Sequence, residues 1–279
     1  MQWIDKLYQQ ELFSEQVKLF RKWMYAFLFI YTLILLPAAS DIWGKNQLVA
    51  FPGVVSSFLN ILSIPFLNKN FYWIIALYLV LLLVGIFKPN RIIHFIIWYL
   101  YINLYYNAAA VQNGGNNLVA LVLLYLAVNN SESKLEKSPL DILLNNLSVI
   151  AARIQIAMMY AVAGIYKLTG ETWTNGTALM YVFNNPEYSL PFFTPFLGQH
   201  LWIIYSVTYS TLVFQLLFPI AVWFIPLRKY VLWIGSLFHI TIALYMGIFD
   251  FGIIMLIMYS LFIPIKIKSE ALQPRFKSG

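Results

Sequence analysis

Apolar runs about as long as a bilayer is thick recur along this chain at near-equal spacing, and that pattern leaves few folds open. A spanning helix needs about 20 mostly apolar residues. The runs are Trp23–Ala39, Phe71–Phe87, Ile92–Val111, Leu118–Val128, Leu147–Leu168, Leu201–Phe224, Tyr230–Gly247 and Phe251–Pro264. Val54–Phe66 is apolar too, but Ser56, Ser57, Asn60 and Pro65 interrupt it, so it reads as an interfacial or re-entrant piece. Composition agrees: of 279 residues, 61% are hydrophobic and 10% charged, where a soluble domain has roughly 45–50% and 25%. No soluble fold of this size hides so much apolar surface. The expected fold is all-α, a polytopic transmembrane helical bundle of about eight spanning helices.

The net charge of +7 does not point to nucleic acid, because Lys and Arg fall in short clusters between the apolar runs rather than along one face. With the N-terminus inside and all eight runs crossing, every Lys and Arg except Lys45, Lys69, Arg153 and Lys167 lies on the cytoplasmic side. The short run Leu118–Val128 is expected to cross, because otherwise the basic residues from Lys134 onward change sides against the positive-inside bias. Both termini are then cytoplasmic. Residues 1–22 form a cytoplasmic segment, 23–264 a membrane domain and 265–279 a cytoplasmic tail. The expected location is the inner (plasma) membrane, multi-pass, with the lipid bilayer as the first partner. The absence of cysteine removes disulfides, thiolate nucleophiles and Cys-ligated metals.

In the fifth run Arg153, Tyr160 and Lys167 stand seven apart, each about 20° around the helix from the one before. Ala157 and Gly164 share that stripe, so a helix or a ligand can approach the backbone closely. Lys167 stands where this helix leaves the hydrocarbon. Either it snorkels, with its ammonium among head groups, or it is held partly out of water as a base. Glu171, four residues on, pairs with it if the helix continues past Gly170. His239 is costly at its depth unless it has a partner or lines a wet cavity; a hydrogen bond to a carbonyl or hydroxyl in the bundle core is the plainer reading. Only three histidines exist, none with a ligating partner three or four residues away, so no metal site is expected. His94, near Arg91, is expected among head groups, and Asp250 as the cap of the eighth helix. The third run carries Tyr99, Tyr101, Asn103, Tyr105, Tyr106 and Asn107, for interhelical hydrogen bonds or a planar-ring pocket. No Walker loop, dinucleotide fingerprint, H-E-x-x-H or G-x-S-x-G occurs.

Two segments carry a resemblance. Ala163-Gly164-Ile165-Tyr166-Lys167-Leu168 followed by Trp173-Thr174-Asn175-Gly176 resembles the A-G-x-K-K-L…W-x-x-G pattern of the vitamin K-dependent gamma-carboxylase-like, or HTTM, membrane family. Phe238-His239-Ile240-Thr241-Ile242-Ala243-Leu244, with Gly247 and Phe251 after it, agrees. The resemblance implies a helical bundle binding a quinone-like or lipid molecule, with a reduced quinone of vitamin K or menaquinone type as the cofactor. In the carboxylase branch the second lysine of the pair is the base that starts hydroquinone oxygenation, and the oxygenated product drives carboxylation of glutamate side chains. The matching position here is Lys167, while Tyr166 replaces the first lysine. The carboxylases carry a large lumenal domain after the membrane part, whereas this chain runs to Gly279. In length it is nearer the family's short bacterial members, which are associated with maturation of a secreted peptide.

Three functions follow as expectations. The first is an extracytoplasmic-facing enzyme with Lys167 and His239 as catalytic residues and Arg153, Tyr160, Gly164, Trp173 and Gly176 around the ligand. The second is a non-enzymatic scaffold for a peptide or lipid, with a peptide substrate or accessory protein as partner. The third, a transporter, lacks the matched broken helices that inverted repeats give.

Overall fold

The computed structural model describes residues 2–44, 67–106, 108, 111–133, 136–185 and 200–264. The expected re-entrant piece Val54–Phe66 and the tail 265–279 lie outside them. Among the described residues all regular structure is helical: α1 (Gln2–Gln9), α2 (Ser14–Leu35), α3 (Ala39–Trp43), α4 (Leu67–Phe87), α5 (Arg91–Tyr106), α6 (Gly114–Ala127), α7 (Pro139–Leu168), α8 (Glu171–Thr174), α9 (Ala178–Asn184), α10 (Leu201–Ala221), α11 (Ile225–Met246) and α12 (Phe249–Tyr259).

Local chemistry sets the helix ends. At α7, Ser138 Oγ accepts from the Asp141 N–H while the Asp141 carboxylate accepts from the Ser138 N–H, with Pro139 in the first turn. At α6, the Asn113 side chain accepts from the Gly115 N–H and the Asn116 side chain from the Asn113 N–H, both at 2.8 Å. α11 ends on Gly247, whose φ of 71° suits a residue without Cβ.

Five described segments are long and apolar enough to cross a bilayer: Ser14–Trp43, Lys69–Phe87, Pro139–Leu168, Leu201–Ala221 and Ile225–Met246. The expected eight are not reached by that measure. α5 has 16 residues and α6 has 14, and the last apolar helical stretch is the short Phe249–Phe262. Fourteen residues rise only about 21 Å, against a hydrocarbon core of about 30 Å. The difference has a physical cause. Hydropathy counts an apolar residue alike whether it meets lipid or another helix, and α6 and α12 are the enclosed ones. Leu118, Val119, Val122 and Leu123 of α6 are buried, as are Ile254, Met255 and Met258 of α12. A helix surrounded by protein need not match the bilayer.

Neighbours in sequence pack side by side from α4 to α7, then α7 against α10, α10 against α11 and α11 against α12. α2 lies on α4, and α12 closes the ring by packing on both α2 and α6. Large apolar side chains cover the outside, among them Trp73, Phe87, Ile225 and Trp233, the reverse of a water-soluble surface.

Polar side chains join helices in the core. Tyr101 stacks on Tyr105 at 4.6 Å and donates to the Asn116 carbonyl at 3.2 Å. Tyr105 shares a 3.0 Å hydrogen bond with Thr32, and Trp43 donates to the Leu104 carbonyl at 2.7 Å. Of the third run's polar residues, Tyr101 and Tyr105 are interhelical ties, whereas Asn103 donates to the Tyr99 carbonyl within its own helix. His94 is not a head-group residue: it is buried and hydrogen-bonded to the Tyr25 hydroxyl at 2.8 Å. Asp250 does not cap α12; it accepts from Tyr31 at 3.3 Å and from the Asn113 side chain, tying α12 to α2 and the start of α6. Buried Arg21 pairs with Glu132 through two contacts of 2.5 and 2.7 Å and donates to the Gly85 and Ile86 carbonyls at the end of α4. Asn146 of α7 donates to the Leu7 and Gln10 carbonyls and accepts from the Leu12 N–H, fastening the N-terminal segment.

Candidate functional site

α7, α10, α11 and the α8–α9 segment surround a cavity of about 590 Å³, within the size range of small-molecule sites. Its walls are mainly apolar and aromatic, including Met159, Val207, Phe183, Phe238, Ile242 and Phe251. Space exists because α7 presents only Ala163 between Tyr160 and Lys167. Of the residues singled out from sequence, Tyr160, Lys167, Trp173 and His239 line this cavity. Tyr160 and Lys167 stand about 10 Å apart along α7.

At the Tyr160 end the three hydroxyl and imidazole groups form a chain. The Tyr160 hydroxyl lies 2.5 Å from His239 Nε2 and 2.5 Å from the Tyr259 hydroxyl. All three side chains are buried, Tyr160 and His239 to within 1% of full enclosure. The Tyr160 ring is held by Phe218 at 4.0 Å and Phe214 at 5.6 Å, and the His239 ring by Phe251 at 5.4 Å. Gly235, one turn before His239, makes the arrangement feasible: a Cβ there would come within 2.2 Å of the Tyr259 hydroxyl oxygen. The chain can run in two directions. If Tyr259 donates to Tyr160 and Tyr160 to Nε2, then Nδ1 carries the hydrogen; in the reverse sense Nδ1 presents a lone pair. Nδ1 of His239 and Oε1 of the cavity-lining Gln215 are both buried without a hydrogen-bond partner among the described residues.

At the other end Lys167 Nζ stands 4.9 Å from the Trp173 ring centroid, a cation–π geometry. It makes no ion pair with Glu171: α7 stops at Leu168, and Glu171 begins a separate short helix after Gly170. Gly176 turns the chain from α8 to α9 at φ 83°, and a Cβ there would meet the Tyr205 and Tyr209 rings at 2.6 and 2.9 Å. Tyr209 fastens the same turn by donating to the Thr174 carbonyl at 3.1 Å. Gly176 thus supports the segment that carries Trp173 without lining the cavity.

Arg153 and Gly164 also lie away from the cavity. Gly164 faces the backbone of Gln215 and the Leu216 side chain, where α7 and α10 cross closely. Arg153, about 21 Å from Lys167 along α7, donates to the Leu261 carbonyl at 2.7 Å and lies 4.2 Å from the Phe13 ring centroid. Among the described residues no three His, Cys, Asp or Glu side chains gather as a metal site. Sequence reading passed over Gln215, Tyr259 and Gly235. Gln215 had a signal, as the one amide in the apolar stretch from Leu212 to Phe218; the other two had none.

Long apolar helices, an apolar exterior and a polar chain enclosed among them define a multi-pass membrane protein of the helical type. Residues 14–266 match the HTTM domain, and the chain belongs to that family. It is 27% identical over 179 residues to the sporulation-delaying protein SdpB of Bacillus subtilis (strain 168), a match covering 57% of this chain. The matched region spans about half the length of that relative, 53%. No solved structure matches.

Proposed function

We propose that the cavity binds a hydrophobic, quinone- or lipid-like molecule and that Lys167 acts there as the general base of a carboxylase- or oxygenase-like reaction on a peptide or lipid. One observation carries this reading: Tyr160, Lys167, Trp173 and His239 line a single cavity although they come from three elements. The cavity's volume and aromatic walls suit a planar ring with an apolar tail. A reduced quinone held there supplies electrons and an acidic hydroxyl for oxygen chemistry. The protein's part is to seat the ring between Phe183, Phe238 and Phe251, to exclude water, and to accept a proton at Lys167 Nζ. In the accompanying topology α5, α6 and α12 complete eight crossings in the inner membrane. Both termini are cytoplasmic and the Lys167 end of the cavity faces outward.

A second reading rests on the Lys167–Trp173 contact, which favours an ammonium rather than a free amine. In it the protein is a non-enzymatic scaffold that holds a peptide or lipid during maturation of a secreted peptide. Mass spectrometry of small molecules co-purifying with wild type and with Lys167→Ala separates the two. A quinone or its oxygenated product, enriched with wild type and altered in the variant, supports the base. Bulk phospholipid in both preparations, with function kept by Lys167→Arg, supports the scaffold.

A further inference from the structure

A second hollow lies on the outside of the bundle, a groove between α2 and α12 that shares no lining residue with the cavity. Its volume is about 1130 Å³, above the roughly 300–1,000 Å³ of ordinary small-molecule sites. Trp23, Ile30, Ile34 and Ile253 line it and are exposed. The rings of Phe27 and Tyr31, stacked at 5.5 Å, give it a flat wall. Between Trp23 and Ile30 the lining residue is the small Ala26.

Length and charge decide what fills it. The lining runs along α2 from Leu19 to Ile34, about 22 Å. One leaflet with its head groups is about 20–22 Å thick, whereas a spanning helix needs about 30 Å of apolar contact. The groove is one leaflet deep. Its lining carries two charged side chains, Lys22 and Asp250. Asp250 accepts from Tyr31 and from the Asn113 side chain, so its charge is met within the protein. Tyr31 lies about 14 Å past Lys22 along α2. Lys22 is exposed, stands directly before the apolar run that opens at Trp23, and has no hydrogen bond or ion pair among the described residues. Its basic neighbours are engaged: Lys18 lies 3.9 Å from Glu15, and Arg21 holds Glu132. The free charge at this end of the groove is therefore positive. A lysine there sends its ammonium to the level of the head groups while its stem covers apolar surface.

We infer that the α2–α12 groove holds one anionic phospholipid, with its phosphate at Lys22 and its acyl chains along Phe27, Ile30 and Ile253 toward Tyr31. With the proposed topology this lipid belongs to the cytoplasmic leaflet. A choline head brings a second cation to an end whose free charge is already positive, and it is the weaker occupant. The lipid site does not depend on what the cavity binds.

The test uses phosphatidylglycerol and phosphatidylcholine carrying the same diazirine-bearing acyl chain. Each is added to the full-length detergent-solubilised protein and crosslinked by light, and the labelled peptides are mapped by mass spectrometry. In wild type, phosphatidylglycerol should label residues 23–34 and 249–257 about fivefold more than phosphatidylcholine, the effect of one lysine on an anionic head. Lys22→Gln should bring the two lipids to equal labelling, and Lys22→Arg should keep the preference. Lys18→Gln removes a cation that does not line the groove, and it should leave the preference unchanged. Equal loss in Lys18→Gln and Lys22→Gln reveals a diffuse basic surface and overturns the site, as does equal labelling by the two lipids in wild type. Absence of label from both segments overturns it too, and a dimer in native mass spectrometry then assigns the groove to a second copy of the chain.

Discussion

His239 sits mid-helix in an apolar element with one ring nitrogen engaged by Tyr160 and the other buried without a partner among the described residues. Sequence reading reached His239, because a histidine at that depth needs a reason. It could not link His239 to its partner: Tyr160 is 79 residues before it in the chain, Tyr259 is 99 residues from Tyr160, and no local periodicity links them. Gly235 was illegible for another reason, since its role is to leave room for an atom contributed by α12. Tyr160→Phe should cost roughly 1–3 kcal/mol, because it leaves His239 Nε2 and the Tyr259 hydroxyl unpaired in an apolar core; thermal unfolding in detergent measures it. Gly235→Ala should displace Tyr259 and lower stability. Adding Tyr259→Phe should cost less than the two single changes together, because both act on the same contact. Additive losses in that double-mutant cycle place Gly235 outside the chain.

At the scale of elements, the apolar runs located the helices well, since a spanning segment must satisfy its own backbone and cover it with apolar side chains. They did not tell which helices meet lipid, because α6 and α12 are apolar for the sake of their protein neighbours. Buried ties between elements were equally hidden. Arg21 reads in sequence as one of a basic cluster, yet it holds Glu132 and the end of α4. Arg21→Met should destabilise by about 3–5 kcal/mol by leaving Glu132 partly buried and uncompensated. Arg21→Met with Glu132→Gln should recover part of that loss, as read by thermal unfolding. The α8–α9 turn depends on Gly176, and Gly176→Ala should cost about 1–2 kcal/mol from the left-handed backbone alone. The Tyr205 and Tyr209 rings add to it. A shift of Trp173 in its fluorescence should accompany the loss.

For the whole molecule, the absence of native cysteine gives a clean background for placing each end of the bundle. With the proposed topology, Glu171→Cys in intact cells should react with a membrane-impermeant maleimide, and Lys88→Cys only after permeabilisation. The opposite pattern inverts the bundle and turns the Lys167 end of the cavity toward the cytoplasm. The position of α12 has a further consequence, in the time order of synthesis. It is the last described helix to be made, yet it packs on α2, α6 and α11 and brings Tyr259 to Tyr160. Eleven described α-helices and the turn at Gly176 leave the ribosome before the piece that joins first to last. Until then the ring stays open on one side, and the Tyr160–His239 pair lacks the Tyr259 hydroxyl and the Phe251 ring. A chain cut before Phe249 should therefore be more open to membrane proteases than the full chain, because the ring it leaves has no closing helix.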